Sequence, residues 1–127
     1  MRALTTLIIA DDNPQMRWLV ATTLRDRFEH VREAEDGRAL FRELVHCSYT
    51  RHEQDVLVIT DIRMPTYSGL DILATYDELQ FHPVTIVMTA FPDDHAIAST
   101  AAAGGVLIPK PFATAELVRV VERACAR

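Results

Sequence analysis

Lysine is almost missing from this chain: of its 13 basic residues only Lys110 is a lysine, and it sits between Pro109 and Pro111. A chain that spares ammonium groups elsewhere is not using this one as surface filler, so the position calls for a compact point charge and not a guanidinium fork. Cysteine is scarce too. Cys47 and Cys125 have no metal-like spacing, which excludes a thiolate metal cluster and leaves two buried or incidental thiols, one at a loop edge and one on the last helix. No apolar run nears the roughly 20 residues of a membrane span, and residues 7–10 are too short for a signal-peptide core. The expectation is a cytoplasmic protein with no membrane segment. Arginine is nowhere gathered into a patch and the net charge is −5, which argues against direct nucleic-acid contact and favours a protein partner.

What is present is ordinary for a folded domain. With 127 residues, 49% hydrophobic and 24% charged, disorder and fibrous classes drop out and one domain over residues 1–127 is expected. Short β-branched runs alternate with longer stretches of helical period, the pattern of βα units around a parallel sheet. Strands are expected at residues 4–10, 30–34, 55–60, 84–89 and 106–109. The second, HVREA, alternates poorly and reads as an edge strand. Helix one opens with Asn13 as cap and Pro14 in its first turn, and continues to about Phe28 with Trp18 placed in the core. Helix two follows Asp36-Gly37 with Leu40, Phe41, Leu44 and Val45 on one face. Residues 46–54, HCSYTRHEQ, are polar without apolar period and read as a long loop. A third helix runs from Ser68 or Gly69 to about Gln80. The fourth, 95–103, is made of small residues and anchors weakly, and the fifth is capped by Thr114.

Four of the apolar runs stop on a reactive polar residue: Asp11-Asp12, Asp61, Thr89 and Lys110. In an open parallel sheet the ligand crevice lies outside the carboxyl ends of the strands, so these positions converge. Taken alone, an Asp-Asp pair is a turn with a helix cap. Beside Asp61 it becomes three carboxylates at one sheet edge, which repel unless neutralised. Mg²⁺ with oxygen ligands suits such a site. Asp61, aimed by the turn at Pro65 and relaxed at Gly69, has the placement of a carboxylate nucleophile accepting a phosphoryl group. Lys110 and Thr89 are placed to meet phosphoryl oxygens. The five histidines have no ligand spacing and read as solvated side chains.

The ordered set DD, DIRMPTYSGLDIL, TIVMTA and PKPF resembles the response-regulator receiver domain of bacterial two-component signalling over nearly the whole chain. The resemblance implies a doubly wound, flavodoxin-like five-stranded parallel sheet in the order 2-1-3-4-5 with five flanking helices. It implies that Asp61 is the phosphoacceptor, that Asp12 ligates Mg²⁺ directly and Asp11 through water, and that the backbone carbonyl of Arg63 is a further ligand. Thr89 matches the switch hydroxyl, Lys110 the phosphate-sensing lysine, and a cis Lys110-Pro111 bond is expected. The implied donor is a phosphohistidine on a sensor histidine kinase or phosphotransfer protein. The implied output is a downstream protein or an attached output domain, with a homodimer through helix four, strand five and helix five.

Three departures from the family pattern stand out. Leu107 replaces the usual aromatic three residues before Lys110, so a coupled ring rotation with Thr89 is lost. Arg63 and Phe91, two residues beyond Asp61 and Thr89, are placed to slow loss of the phosphoryl group. The 46–54 stretch looks long. Two alternatives remain at this point: a receiver-like scaffold that works without phosphate, and a small aspartyl-nucleophile phosphatase. The second wants a general acid at position 63, where this chain has arginine.

Overall fold

The computed structural model describes residues 4–126. Five strands, β1 (Thr6–Ala10), β2 (His30–Ala34), β3 (Val56–Asp61), β4 (Val84–Thr89) and β5 (Val106–Pro109), form one sheet in the order β2-β1-β3-β4-β5. Every neighbouring pair is parallel. The central strands β1 and β3 are buried along their length apart from half-buried Asp61, as strands covered on both faces must be. Edge strand β2 keeps His30, Arg32 and Glu33 exposed.

The helices are α1 (Pro14–Leu24), α2 (Gly37–Thr50), α3 (Gly69–Leu73), α4 (Tyr76–Leu79), α5 (Asp94–Ala102) and α6 (Thr114–Cys125). They make five flanking segments, because α3 and α4 are one helix broken at Ala74-Thr75. On one sheet face, α1 and α6 bring Val20, Leu24, Leu117 and Val121 against Leu7, Ile9, Leu57, Ile59 and Met88. On the other, α2, α3 and α4 bring Leu40, Leu44, Ile72 and Tyr76 against Ile8, Val58 and Val87. The small-residue α5 buries only Ala96 and Thr100, so it is held by little apolar area.

Several expectations are corrected. Trp18 is 66% exposed. Helix α1 faces the sheet with Val20, Ala21 and Leu24, and Trp18 lies about 200° around the helix from Val20 at about 100° per residue, so it points to solvent. The helix also stops at Leu24, and residues 25–27 form a 3₁₀ turn. The expected loop at 46–54 is helix as far as Thr50, with a short 3₁₀ turn at 53–55. Cys47 continues the Leu40, Leu44 stripe and is fully buried, so it anchors the last turns of α2. The third helix breaks where Thr75 turns its hydroxyl back to the Ile72 carbonyl at 2.7 Å, a local bond that competes with helix continuation. Thr114 is the first residue of α6, whose cap is Ala113 without a side-chain hydrogen bond. The first strand begins at Thr6 and the third at Val56, each later than the sequence pattern placed it.

Candidate functional site

Asp11 follows the last residue of β1 and is 1% exposed. A buried carboxylate needs partners, and each polar group of Asp11 has one. Its N–H donates to the Ala34 carbonyl at 3.1 Å, and Oδ1 accepts from the Asn13 N–H at 2.9 Å. Its carbonyl accepts from Nη1 of Arg17 at 2.7 Å, while Oδ2 accepts from Nζ of Lys110 at 2.9 Å. Arg17 in turn reaches Glu33 on β2 at 3.2 Å. This brace was not foreseen from the sequence, where Arg17 is one of many arginines on a helix.

Asp61 ends β3, the neighbour of β1. Its Oδ1 accepts the Ile62 N–H at 2.7 Å and its Oδ2 accepts from Nζ of Lys110 at 3.1 Å. The Thr60 hydroxyl donates to the Asp61 carbonyl at 2.8 Å, and Gly69 packs so close that a Cβ there would stand 2.2 Å from that same carbonyl. The glycine is therefore demanded by close approach to the strand end. Lys110 follows β5, its N–H donates to the Thr89 carbonyl at 2.7 Å, and the Lys110-Pro111 peptide is cis. One ammonium thus bridges carboxylates carried by β1 and β3.

Burial pushes the Asp61 carboxyl above the usual carboxylate range; Lys110 opposes this, Asp11 adds to it, and the Ile62 N–H pulls back. For Lys110 burial disfavours the ammonium, yet the hydrogen bond to Asp11 and the charges of Asp61 and Asp11 outweigh it and raise its pKa. The cation is therefore fixed in place as a cation.

Asp11, Asp12 and Asp61 offer carboxylate oxygens that all lie within 4.8 Å of one another. Oxygen donors at this spacing fit a hard divalent cation, and Asp12 is exposed and open to it. Thr89 is 4% exposed at the end of β4, and its hydroxyl accepts the Phe91 N–H at 3.0 Å. A cleft of about 70 Å³ beside it is lined by Ile62, Arg63, Thr89, Phe91 and Asp93 among others. At its rim the Arg63 guanidinium stacks on Phe91. The strand ends thus bring together the Asp11, Asp12, Asp61 and Lys110 side chains, while Thr89 ends the adjacent β4 and meets Lys110 through its backbone carbonyl.

The protein-family model described as the response regulator receiver domain matches residues 7–122. Among curated proteins, the DNA-binding transcriptional regulator NtrC of Azospirillum brasilense is 33% identical over 94% of this chain and 24% of its own length. The transcriptional regulatory protein PdtaR of Mycobacterium tuberculosis is 32% identical over 95% of this chain and 57% of its own. The chain thus spans between a quarter and just over half of these relatives. A solved response regulator receiver domain protein from Clostridium thermocellum superposes with a TM-score of 0.81 at 24% identity, covering 98% of this chain and 96% of the other.

Proposed function

The chain belongs to the response regulator receiver domain family and is a signalling receiver of the two-component kind, and on that premise we propose that Asp61 is its phosphoacceptor. The observation that carries this reading is the Lys110 ammonium set between Asp11 and Asp61 at 2.9 and 3.1 Å. A cation pinned beside a nucleophilic carboxylate is what phosphoryl transfer needs, since charge on the phosphoryl oxygens dominates the barrier.

In the proposed reaction an Asp61 carboxylate oxygen bonds to phosphorus as the P–N bond to a kinase or phosphotransfer imidazole breaks, and the imidazole nitrogen leaves with the electron pair. The Ile62 N–H holds Oδ1 and so orients the carboxylate. Asp12, Asp61 and the Arg63 backbone carbonyl, with Asp11 through water, would hold Mg²⁺, which would supply further neutralisation of phosphoryl charge beside that of Lys110. Once phosphate is present, the Thr89 hydroxyl proton gains an oxygen acceptor beyond its own loop. That difference in contacts is the free energy by which phosphorylation shifts the population of active conformers.

The surface that reads the shift is α5, β5 and α6, with exposed Ile97 and Val106 and half-buried Leu107. Through it the receiver would engage a downstream protein, an attached output domain or a second copy. Leu107 cannot turn an aromatic ring with Thr89, so transmission to α5 and β5 must differ or be weaker, and α5, which little apolar area restrains, can shift at low cost. No helix of the described residues is long and apolar enough to cross a membrane, and a cytoplasmic receiver without direct nucleic-acid contact fits the reading. The test is intact mass after incubation with acetyl phosphate and Mg²⁺. One added phosphoryl group, absent in Asp61→Asn and with chelator, supports it; no gain from either acetyl phosphate or a phosphorylated kinase sinks it.

A further inference from the structure

The loop after Asp61 closes on the start of α2 through an unusual turn. Tyr67 donates its N–H to the Pro65 carbonyl at 2.9 Å, across Thr66 at φ 69°. This is the rare γ-turn form with positive φ, which is strained for any residue with a Cβ and most of all for a β-branched one. Such a conformation persists only where its surroundings over-determine it.

They do so here. The same Pro65 carbonyl also accepts the Gly37 N–H at 3.1 Å and the Thr66 hydroxyl at 2.6 Å. The Thr66 oxygen in turn accepts the Arg38 N–H at 2.9 Å. Gly37 and Arg38 are the first two residues of α2, whose N–H groups have no partner within the helix. The side chain of the cap Asp36 serves only the third, Ala39, at 2.8 Å. The phosphoacceptor loop therefore completes the capping of a helix remote in sequence. Gly37 is required for the approach, because a Cβ there would meet the Tyr67 carbonyl oxygen at 2.1 Å.

The stretch between Asp61 and Pro65 is fastened at both ends. Ile62 donates its N–H to Asp61 and accepts the Gly69 N–H on its carbonyl at 2.8 Å, and Pro65 is held by the start of α2. Arg63 lies between these two anchors. We infer that Thr66 is a positioning residue: its hydroxyl, shared between α2 and the strained turn, sets where the Arg63 backbone carbonyl stands and thereby tunes affinity for the divalent cation. The inference rests on the metal reading of the acidic site given above. Outer residues that orient a metal ligand commonly change affinity about 10- to 100-fold when lost, and a group acting through backbone belongs at or below the low end of that range.

The experiment is calorimetric titration of the protein with Mg²⁺ alone, comparing the unaltered chain, Thr66→Val, Thr66→Ser and Asp12→Asn, with melting curves recorded alongside. Thr66→Val keeps the shape and removes the hydroxyl; Thr66→Gly removes the whole side chain, hydroxyl included, without the φ penalty and serves where the valine variant fails to fold. Expected is about a three- to tenfold loss of affinity in Val and Gly, and recovery to within about twofold in Ser. In acetyl phosphate reactions the Mg²⁺ concentration for half-maximal rate should move by the same factor while the rate at saturating Mg²⁺ holds. Unchanged affinity in Val and Gly, or equal loss in Ser, overturns the role of Thr66 while leaving the site reading intact. No Mg²⁺ uptake by the unaltered chain removes the metal reading itself, and this inference with it.

Discussion

The Arg63 guanidinium carbon lies 4.6 Å from the centre of the Phe91 ring, so the loop after Asp61 and the loop after Thr89 are joined over the mouth of the site. A cation over an aromatic face at an exposed position contributes about 0.5–1 kcal/mol, and with Asp61 as phosphoacceptor the stack would shield its phosphoryl group from water. Phe91→Glu breaks the stack and lets water in. The phosphoryl group should then decay about two- to fivefold faster, the kinetic equivalent of that energy, as followed by intact mass after removal of the donor. An unchanged or slower decay would show that the stack does not shield the site.

Lys110→Ala removes the one cation that favours ionised Asp61, leaving burial and Asp11 to push its carboxyl higher still. Losing a preorganised charge at a reacting centre costs about 100-fold or more in rate. Initial phosphorylation by acetyl phosphate near neutral pH should fall by roughly that factor, and the pH for half-maximal rate should move up. A variant with the parent rate and pH profile would place Lys110 outside the reaction.

Asp61→Asn should stabilise the fold at neutral pH in the absence of divalent cation. The Asp61 carboxyl is raised above its ordinary 3.8, chiefly by burial. A group whose folded pKa is raised contributes stability that is complete below the unfolded value and lost as pH climbs through the folded one. Ionised Asp61 therefore costs stability at pH 7, and the asparagine variant should melt a few degrees higher. The difference should vanish on acidification below the ordinary carboxylate range. Equal melting points at both pH values would contradict the raised pKa.

Tyr76 is 2% exposed, and its hydroxyl lies 2.9 Å from the Thr85 hydroxyl, with Thr85 donating on to the Pro83 carbonyl at 2.9 Å. Tyr76→Phe breaks this chain but keeps the ring. A net loss of about 0.5–1.5 kcal/mol is expected, measured by urea unfolding at constant m-value. A loss above about 3 kcal/mol would point to repacking beyond a single hydrogen bond.

The strand ends were legible because burial on both faces writes a continuous apolar run, and the polar residue that stops each run is the one the crevice receives. Asp11, Asp61 and Lys110, which the structure joins through one ammonium, were therefore legible together from sequence. Trp18 misled because apolar character in WLVA runs around the whole turn of α1, and only the sheet decides which part is covered. The segment 46–50 misled in the opposite direction, since one buried Cys47 among polar neighbours carries the helix onward. Thr66 left no signal, because a positive φ at a threonine contradicts local preference and is imposed by the start of α2.

The outward turn of Trp18 gives the molecule a single indole chromophore, since no other tryptophan occurs in the chain. It stands on the solvent side of α1 beside Pro14, Gln15 and Leu19, one turn beyond the cap at Asn13. Its emission should be red-shifted in the isolated protein and move to shorter wavelength when that helix is covered. Docking on this side of the molecule can thus be followed optically without labelling.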